Sequence, residues 1–303
     1  MQQIEKNQVL WLNVASPSTE DLLFLKEKFG LANTVLTELS VPVKRTKIEE
    51  YENYLFLVLH FPVFNPATRK TTPTELDFII TPTTIVTAYT ESIPNLESFF
   101  VECLNHPSGQ KEYFKSAGYL LFCILDKLID SCLPMLDHIN DNTENIEDKI
   151  FHGKEREMIS EVAIVKRDII DFRKTIKPQR SVLEILAQKA PRFFNEQLDF
   201  ISQEVIGSNI RVWNTLENHM EMIETIEKTN ESLFSYKISE IVKILTILSF
   251  ITFPLNLING FLGMSLFDSV SFMHSPYVYL IVLTVELFIG FLMYFLFKKK
   301  KWL

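Results

Sequence analysis

Thr252 to Phe267 reads TFPLNLINGFLGMSLF. Two asparagines, a proline and two glycines interrupt a run of large apolar side chains. Amides are costly in hydrocarbon and proline removes a helix hydrogen bond, so each needs a reason to be there. The stretch closes a longer segment. Ile244 to Leu262 is nineteen residues without a charge, and Tyr277 to Phe297 is twenty-one residues with one, Glu286. A helix crossing about 30 Å of hydrocarbon needs about 20 apolar residues, so both segments are expected to span a membrane.

Working outward, the flanking charges orient these spans. FKKKKWL follows the second, Lys237 and Lys243 precede the first, and Gly263 to Pro276 holds no Lys or Arg. Basic residues stay on the cytoplasmic side. The expectation is a multi-pass protein of the cytoplasmic (inner) membrane, both termini cytoplasmic, with residues 263–276 a short extracytoplasmic loop. MQQIEKNQVLW lacks the basic and apolar regions of a signal peptide. The three cysteines, Cys103, Cys123 and Cys132, form no CxxC, so neither a disulfide framework nor a zinc knuckle is expected.

The chain of 303 residues carries a formal charge of -8. From Ile241 onward there are five lysines and two acids, which leaves 25 basic against 36 acidic residues in 1–240. An acidic soluble part argues against nucleic acid as a partner and suits either attraction of cations or plain solubility. No GxGxxG, Walker, HExxH or nucleophile-elbow motif is present, and the six histidines are scattered, so no enzyme is expected.

Residues 1–110 read as an α/β domain: QVLWLNV as a strand, SPSTEDLLFLKEKFG as a helix capped by Ser16 or Ser18 and closed by Gly30, and ANTVLTELS as a second helix. YLFLVLHFPVF, TELDFIIT and TTIVTAY read as further strands, with a helix near Asn95 to Leu104. Residues 111–190 read as antiparallel helical arms, one helix kinked at Pro134 and the next at Pro178. After Pro191 a stalk helix, 191–243, is expected to run into the first span, 244–262; from Asn195 to Leu262 it would be about 100 Å long. Its apolar positions Ile206, Ile210, Trp213, Leu216, Met220, Ile223 and Ile226 share one face. The second span is 277–297 and the basic tail 298–303.

The amides now find a pattern. Ser239, Val242, Leu245, Ser249, Phe253, Asn256 and Gly260 step by threes and fours. Turned inward in an oligomer, this stripe would line a pore, with apolar rings as constrictions and Ser and Asn rings offering oxygens to a hydrated ion. Turned against a neighbouring helix, the same stripe is ordinary packing. Gly260 and Gly263 permit close approach and an end to the helix.

VKILTILSFITFPLNLINGFLGMSLF, with Lys243, Leu245-Thr246, Pro254 and its Gly-Met pair, is similar to the first span of the CorA family of magnesium and cobalt channels. DFRKTIKPQRSVLE resembles the family's arm motif and FKKKKWL its basic tail. The resemblance covers essentially the whole chain. It implies a homopentamer whose first span lines the pore and conducts hydrated Mg²⁺, with Co²⁺, Ni²⁺ or Zn²⁺ as alternatives. It implies a filter at Gly263, Met264 and Ser265, and a basic ring of Lys298, Lys299, Lys300 and Lys301 at the inner mouth. It also implies a regulatory cytosolic Mg²⁺ site between subunits, matched here by Glu38, Asp126, Asp130 and Glu204; solvated surface acids are the other reading.

The chain departs from the family where Gly-Met-Asn becomes Gly-Met-Ser265, where Ser239 stands at a position that often carries Asn, and where the acidic loop shrinks to Asp268 followed by His274. Serine lacks the amide's paired acceptor and donors. These departures leave two alternatives beside the Mg²⁺ channel. One is a zinc-type transporter of the same fold, proton-coupled through Glu286. The other is a membrane-anchored metal sensor without conduction.

Overall fold

The computed structural model describes residues 1–43, 45–105, 111–262, 276–300 and 302. The chain divides into two units, 1–228 and 229–303.

In the first unit a six-stranded sheet runs β1-β2-β6-β5-β4-β3. The strands are β1 (Gln2–Lys6), β2 (Val9–Ala15), β3 (Lys47–Glu50), β4 (Leu55–Asn65), β5 (Lys70–Ile80) and β6 (Thr84–Tyr89). Only β2 and β6 pair in parallel; the other neighbours are antiparallel. β1 and β3 were not expected. β1 joins β2 through Asn7 and Gln8, both at positive φ (53° and 65°), the geometry of a two-residue hairpin turn. Gln at the second position lacks the usual glycine cue. β3 is a four-residue edge strand of polar composition that only pairing with β4 reveals.

The sheet is covered on both faces. Leu12, Val14, Phe56, Val58, Ile79, Val86 and Ala88 form a core with Leu25 of α1 (Thr19–Phe29) and with Val35 and Leu39 of α2 (Asn33–Ser40). α1 starts at Ser18, whose Oγ accepts from the Asp21 amide while Asp21 accepts from the Ser18 amide; Gly30 closes it at φ 67°. On the opposite face Trp11 meets Phe99 and Phe100 of α3 (Pro94–Asn105), with centroids at 5.7 and 4.9 Å. The Trp11 indole donates to Thr87, and Thr87 donates to Asn13, so these buried polar groups are satisfied.

The arms are four helices where two kinked ones were expected: α4 (Ala117–Asp130), α5 (Leu133–Phe151), α6 (Glu155–Ile176) and α7 (Gln179–Phe194). Pro134 and Pro178 lie at or beside the start of α5 and α7, where a missing N–H is tolerated, so the chain breaks rather than kinks. Pro191, expected to precede a new helix, lies inside α7 near its end. The helix stops at Asn195, φ 50°, and the Glu196 amide donates back to the Pro191 carbonyl.

α8 runs from Asp199 to Leu262 without a break, and α9 from Pro276 to Lys299. In the first unit the buried face of α8 includes Val205, Asn209, Val212, Leu216, His219 and Ile223. Of the apolar stripe read above, Ile206, Leu216, Ile223 and Ile226 are buried and Ile210, Trp213 and Met220 half-buried; tertiary contacts also bury the polar Asn209 and His219. In the second unit both helices are long and apolar enough to cross a membrane.

Candidate functional site

The membrane half of α8 has two faces. Ile247, Ile251, Pro254, Ile258 and Leu262 are at least partly covered. Their spacing matches the covered positions of α9: Val282, Glu286, Ile289, Met293 and Phe297. Phe250 meets Phe297 with ring centroids 6.4 Å apart. Further along, Leu257, Ile258, Phe261 and Leu262 border a cavity of about 310 Å³ with Ile281, Val282 and Val285.

Ser239, Val242, Leu245, Ser249, Phe253, Asn256 and Gly260 all stand on the other face, and all are exposed. Phe253 is 70% exposed. Packing among the described residues therefore does not use this stripe. The Ser249 hydroxyl donates to the Leu245 carbonyl at 2.9 Å and that of Ser239 to the Ser235 carbonyl at 2.9 Å. Each hydroxyl proton is thus spent inside the helix, which leaves an outward-facing oxygen that accepts. Pro254 deprives the helix of one hydrogen bond, yet α8 continues through it.

Glu286 faces α8 rather than away from it. Its Oε1 is shielded and has no hydrogen-bond partner among the described residues. Lys298 and Lys299 lie in the last turn of α9, where cations suit the helix dipole, and Lys300 follows. The Trp302 ring stacks on Phe297 at 6.0 Å. Gly263, Met264 and Ser265, together with Asp268, His274 and Lys301, lie outside the described residues.

The four acids matched to the regulatory site separate into two places. Asp126 on α4 is half-buried beside Asp130, one turn on, and Glu204 of α8. Burial first, then the charges of Asp130 and Glu204, raise the Asp126 carboxyl above its ordinary range; the Lys127 charge and then the Ser208 hydroxyl, 3.5 Å away, oppose this. Three acids that repel one another make a place where a cation is welcome. Glu38 is elsewhere, on α2. The Lys47 ammonium lies between its two oxygens, at 2.9 and 2.8 Å. Among the described residues no three His, Cys, Asp or Glu side chains of one chain are arranged to hold a metal ion.

Sequence reading missed the neighbours of Glu38. Lys47 also donates to Glu49 at 2.8 Å. Asp77 on β5 is 5% exposed, its Oδ1 without a partner among the described residues. Burial, with the charges of Glu75 and Glu38, pushes its carboxyl up to about 8, and Lys47 pulls the other way. Glu75, 9% exposed, lies 3.3 Å from the His60 ring. His60 reaches the Val43 carbonyl through Nε2 at 2.9 Å, so that nitrogen carries the proton. From the His60 carbonyl a buried chain runs through Gln179 of α7 to Asn209 of α8, at 2.5 and 3.0 Å. One signal was available. In TELDFIIT the strand period of two puts Glu75 and Asp77 on the face of buried Ile79.

A profile of the family described as CorA-like Mg2+ transporter protein matches residues 6–299. The Cobalt/magnesium transport protein CorA of Thermotoga maritima is 28% identical over 294 residues, which covers 97% of this chain and 83% of that protein. The protein of the same description from Methanocaldococcus jannaschii is 21% identical over 303 residues, 99% of this chain and 93% of that one. The complete structure of the CorA magnesium transporter from Methanocaldococcus jannaschii superposes with a TM-score of 0.84 at 21% identity, over 99% of this chain and 93% of that chain. The cytoplasmic domain of ZntB from Vibrio parahaemolyticus superposes at 0.62 and 12% identity, over 75% of this chain and 88% of that chain.

Proposed function

Because the chain belongs to the CorA-like Mg2+ transporter family, we propose that it conducts hydrated divalent cations, Mg²⁺ first and Co²⁺ or Ni²⁺ second, through a pore lined by the membrane half of α8. The family is one of transporters, not enzymes, and the two C-terminal apolar helices make this a membrane protein. The observation that carries the proposal is the stripe from Ser239 to Gly260. Its oxygens and apolar rings lie on the face that α9 leaves uncovered. Copies of the chain around a common axis, five in this reading, would bring that face together. Mg²⁺ sheds its waters reluctantly, so it would pass hydrated, with a ring of Asn256 amides and the hydroxyl of Ser249 bonding to its water shell. Gly263, Met264 and Ser265 would form the outer mouth. Lys298 to Lys301 would ring the inner one, with both termini cytoplasmic by the positive-inside bias.

For regulation, Glu38 of one subunit would meet Asp126, Asp130 and Glu204 of its neighbour across a bound Mg²⁺ that holds the channel closed. Repulsion around Asp126 supports this reading, because a divalent cation relieves it.

The test is cation flux into liposomes carrying the purified full chain, with Mg²⁺, Co²⁺, Ni²⁺ and Zn²⁺ compared under an inward-negative potential. Mg²⁺ flux driven by potential alone is the expected result. Asn256→Leu should abolish it while the oligomer still assembles; undiminished flux in that variant would remove Asn256 from the filter. One observation favours a second reading. Glu286 is an acid in a membrane span with a shielded oxygen that has no partner among the described residues, and such groups often serve proton coupling. Zn²⁺ flux that needs a pH gradient and is lost in Glu286→Gln would establish that alternative. Silence for all four ions from an intact oligomer would leave the metal-sensor reading.

A further inference from the structure

Lys47 holds its charge in a setting made of acids. Its Nζ lies 2.9 and 2.8 Å from the two oxygens of Glu38 and 2.8 Å from Glu49 Oε1. Three carboxylate oxygens thus surround one ammonium, which donates to Glu38 Oε1 and Glu49 Oε1. Its side chain is 22% exposed and that of Glu38 27%. The stem runs beside Phe56, with Nζ 5.4 Å from the ring centroid.

The sheet register explains the gathering. Lys47 pairs with Val58, Val58 with Asp77, and Asp77 with Ala88. The four side chains form one row on the face that α2 covers. Asp77 is therefore a further buried acid in this row, and its Oδ1, without a partner among the described residues, feels the charges of Glu75 on its own strand and Glu38 on α2. His60 of β4 faces Glu75, and the Tyr51 hydroxyl donates to the outer oxygen of Glu49 at 3.0 Å. Among the described residues the Lys47 ammonium lies against Glu38 and Glu49 and its charge acts on Asp77, so an ion binding Glu38 from this side meets it.

We propose that Lys47 is a tethered cation that competes with the regulatory divalent ion for Glu38, and so sets the Mg²⁺ concentration at which the cytosolic unit responds. The inference rests on the reading of Glu38 as a regulatory ligand. An incoming ion must either displace the ammonium from both Glu38 oxygens or bind a carboxylate already largely neutralised. Both raise the concentration needed. Loss of the amine leaves Glu38, Glu49 and Asp77 without their cation, and the site then favours Mg²⁺.

The experiment titrates Mg²⁺ against the purified full chain in detergent and reads protection of the cytosolic unit from limited proteolysis. Lys47→Gln and Lys47→Met remove the charge, and the methionine keeps an apolar stem beside Phe56. Lys47→Arg keeps the charge. The expected result is a midpoint lowered about three- to ten-fold in both neutral variants, the range of one partly shielded ion pair, and a near wild-type midpoint in Lys47→Arg. Unchanged or raised midpoints in the neutral variants overturn the inference, as does a three-fold drop in Lys47→Arg. Glu38→Gln separates this outcome from failure of the underlying reading. If Glu38→Gln keeps the wild-type midpoint, Glu38 is not a ligand and both fall. If Glu38→Gln shifts the midpoint and the Lys47 variants do not, only the role of Lys47 falls.

Discussion

Asp77 lies between Val58 and Ala88 in the register of the sheet, almost fully buried, with its carboxyl pushed up to about 8 by burial, Glu75 and Glu38. In the unfolded chain the same group titrates near 3.8. Between those values the folded chain holds a proton that the unfolded chain has released. Stability therefore falls as pH rises from about 4 to about 8, and this contribution is flat outside that window. Asp77→Asn removes the dependence. In chelator-containing buffer the stability of the variant relative to wild type should increase with pH across the window, by at most about 1.4 kcal/mol per pH unit, and level off above it. Thermal unfolding at several pH values checks this; a difference that does not vary with pH would show that Asp77 is not held protonated. The alternation in TELDFIIT carried an unused signal that puts Glu75 and Asp77 on one face with Ile79. What it could not show was the charge environment, because Glu38 comes from α2 and Lys47 from an edge strand too short and polar to be recognised.

At the scale of elements, helices met the sequence reading where periodicity and caps agreed, as in α1 with Ser18 and Gly30. They departed from it at prolines, whose effect depends on position: Pro134 and Pro178 begin helices and Pro191 is carried inside one, whereas α8 runs on through Pro254 as expected. Contacts between elements add constraints that no local pattern reveals. A Cβ at Gly118 of α4 would lie 2.9 Å from the Phe194 ring and 2.6 Å from Leu198 Cδ1, so this glycine permits the close approach of the segment around 194–198. Gly118→Val should destabilise the first unit by about 1–3 kcal/mol through overpacking. Thermal unfolding of the full chain gives the readout, and an unshifted transition would mean that both neighbours move aside without cost. The exposed stripe of α8 belongs to this scale too: its spacing was legible, but the face that α9 leaves uncovered was not.

For the whole molecule, the pentamer and the pore stand together as one proposal. An outward stripe carrying Phe253 at 70% exposure and Leu245 at 61% beside Ser and Asn needs either lipid or further copies of the chain. Amide and hydroxyl oxygens favour the copies. Native mass measurement in detergent should give a protein mass five times 35.3 kDa, and a monomer as the sole species would leave the pore without walls. The amino-acid order by itself determined two membrane spans, an α/β domain and long helices. Those features follow from local and periodic physics: hydrocarbon tolerates only long apolar helices, and helix and strand periods are written in neighbouring residues. Only the tertiary structure decided which acids lie near one another, that Lys47 pairs with Glu38, and which face of α8 is left open by α9. Charge interactions act over a few ångströms in space, and the residues that make them are brought together by strand register and helix packing across long stretches of chain.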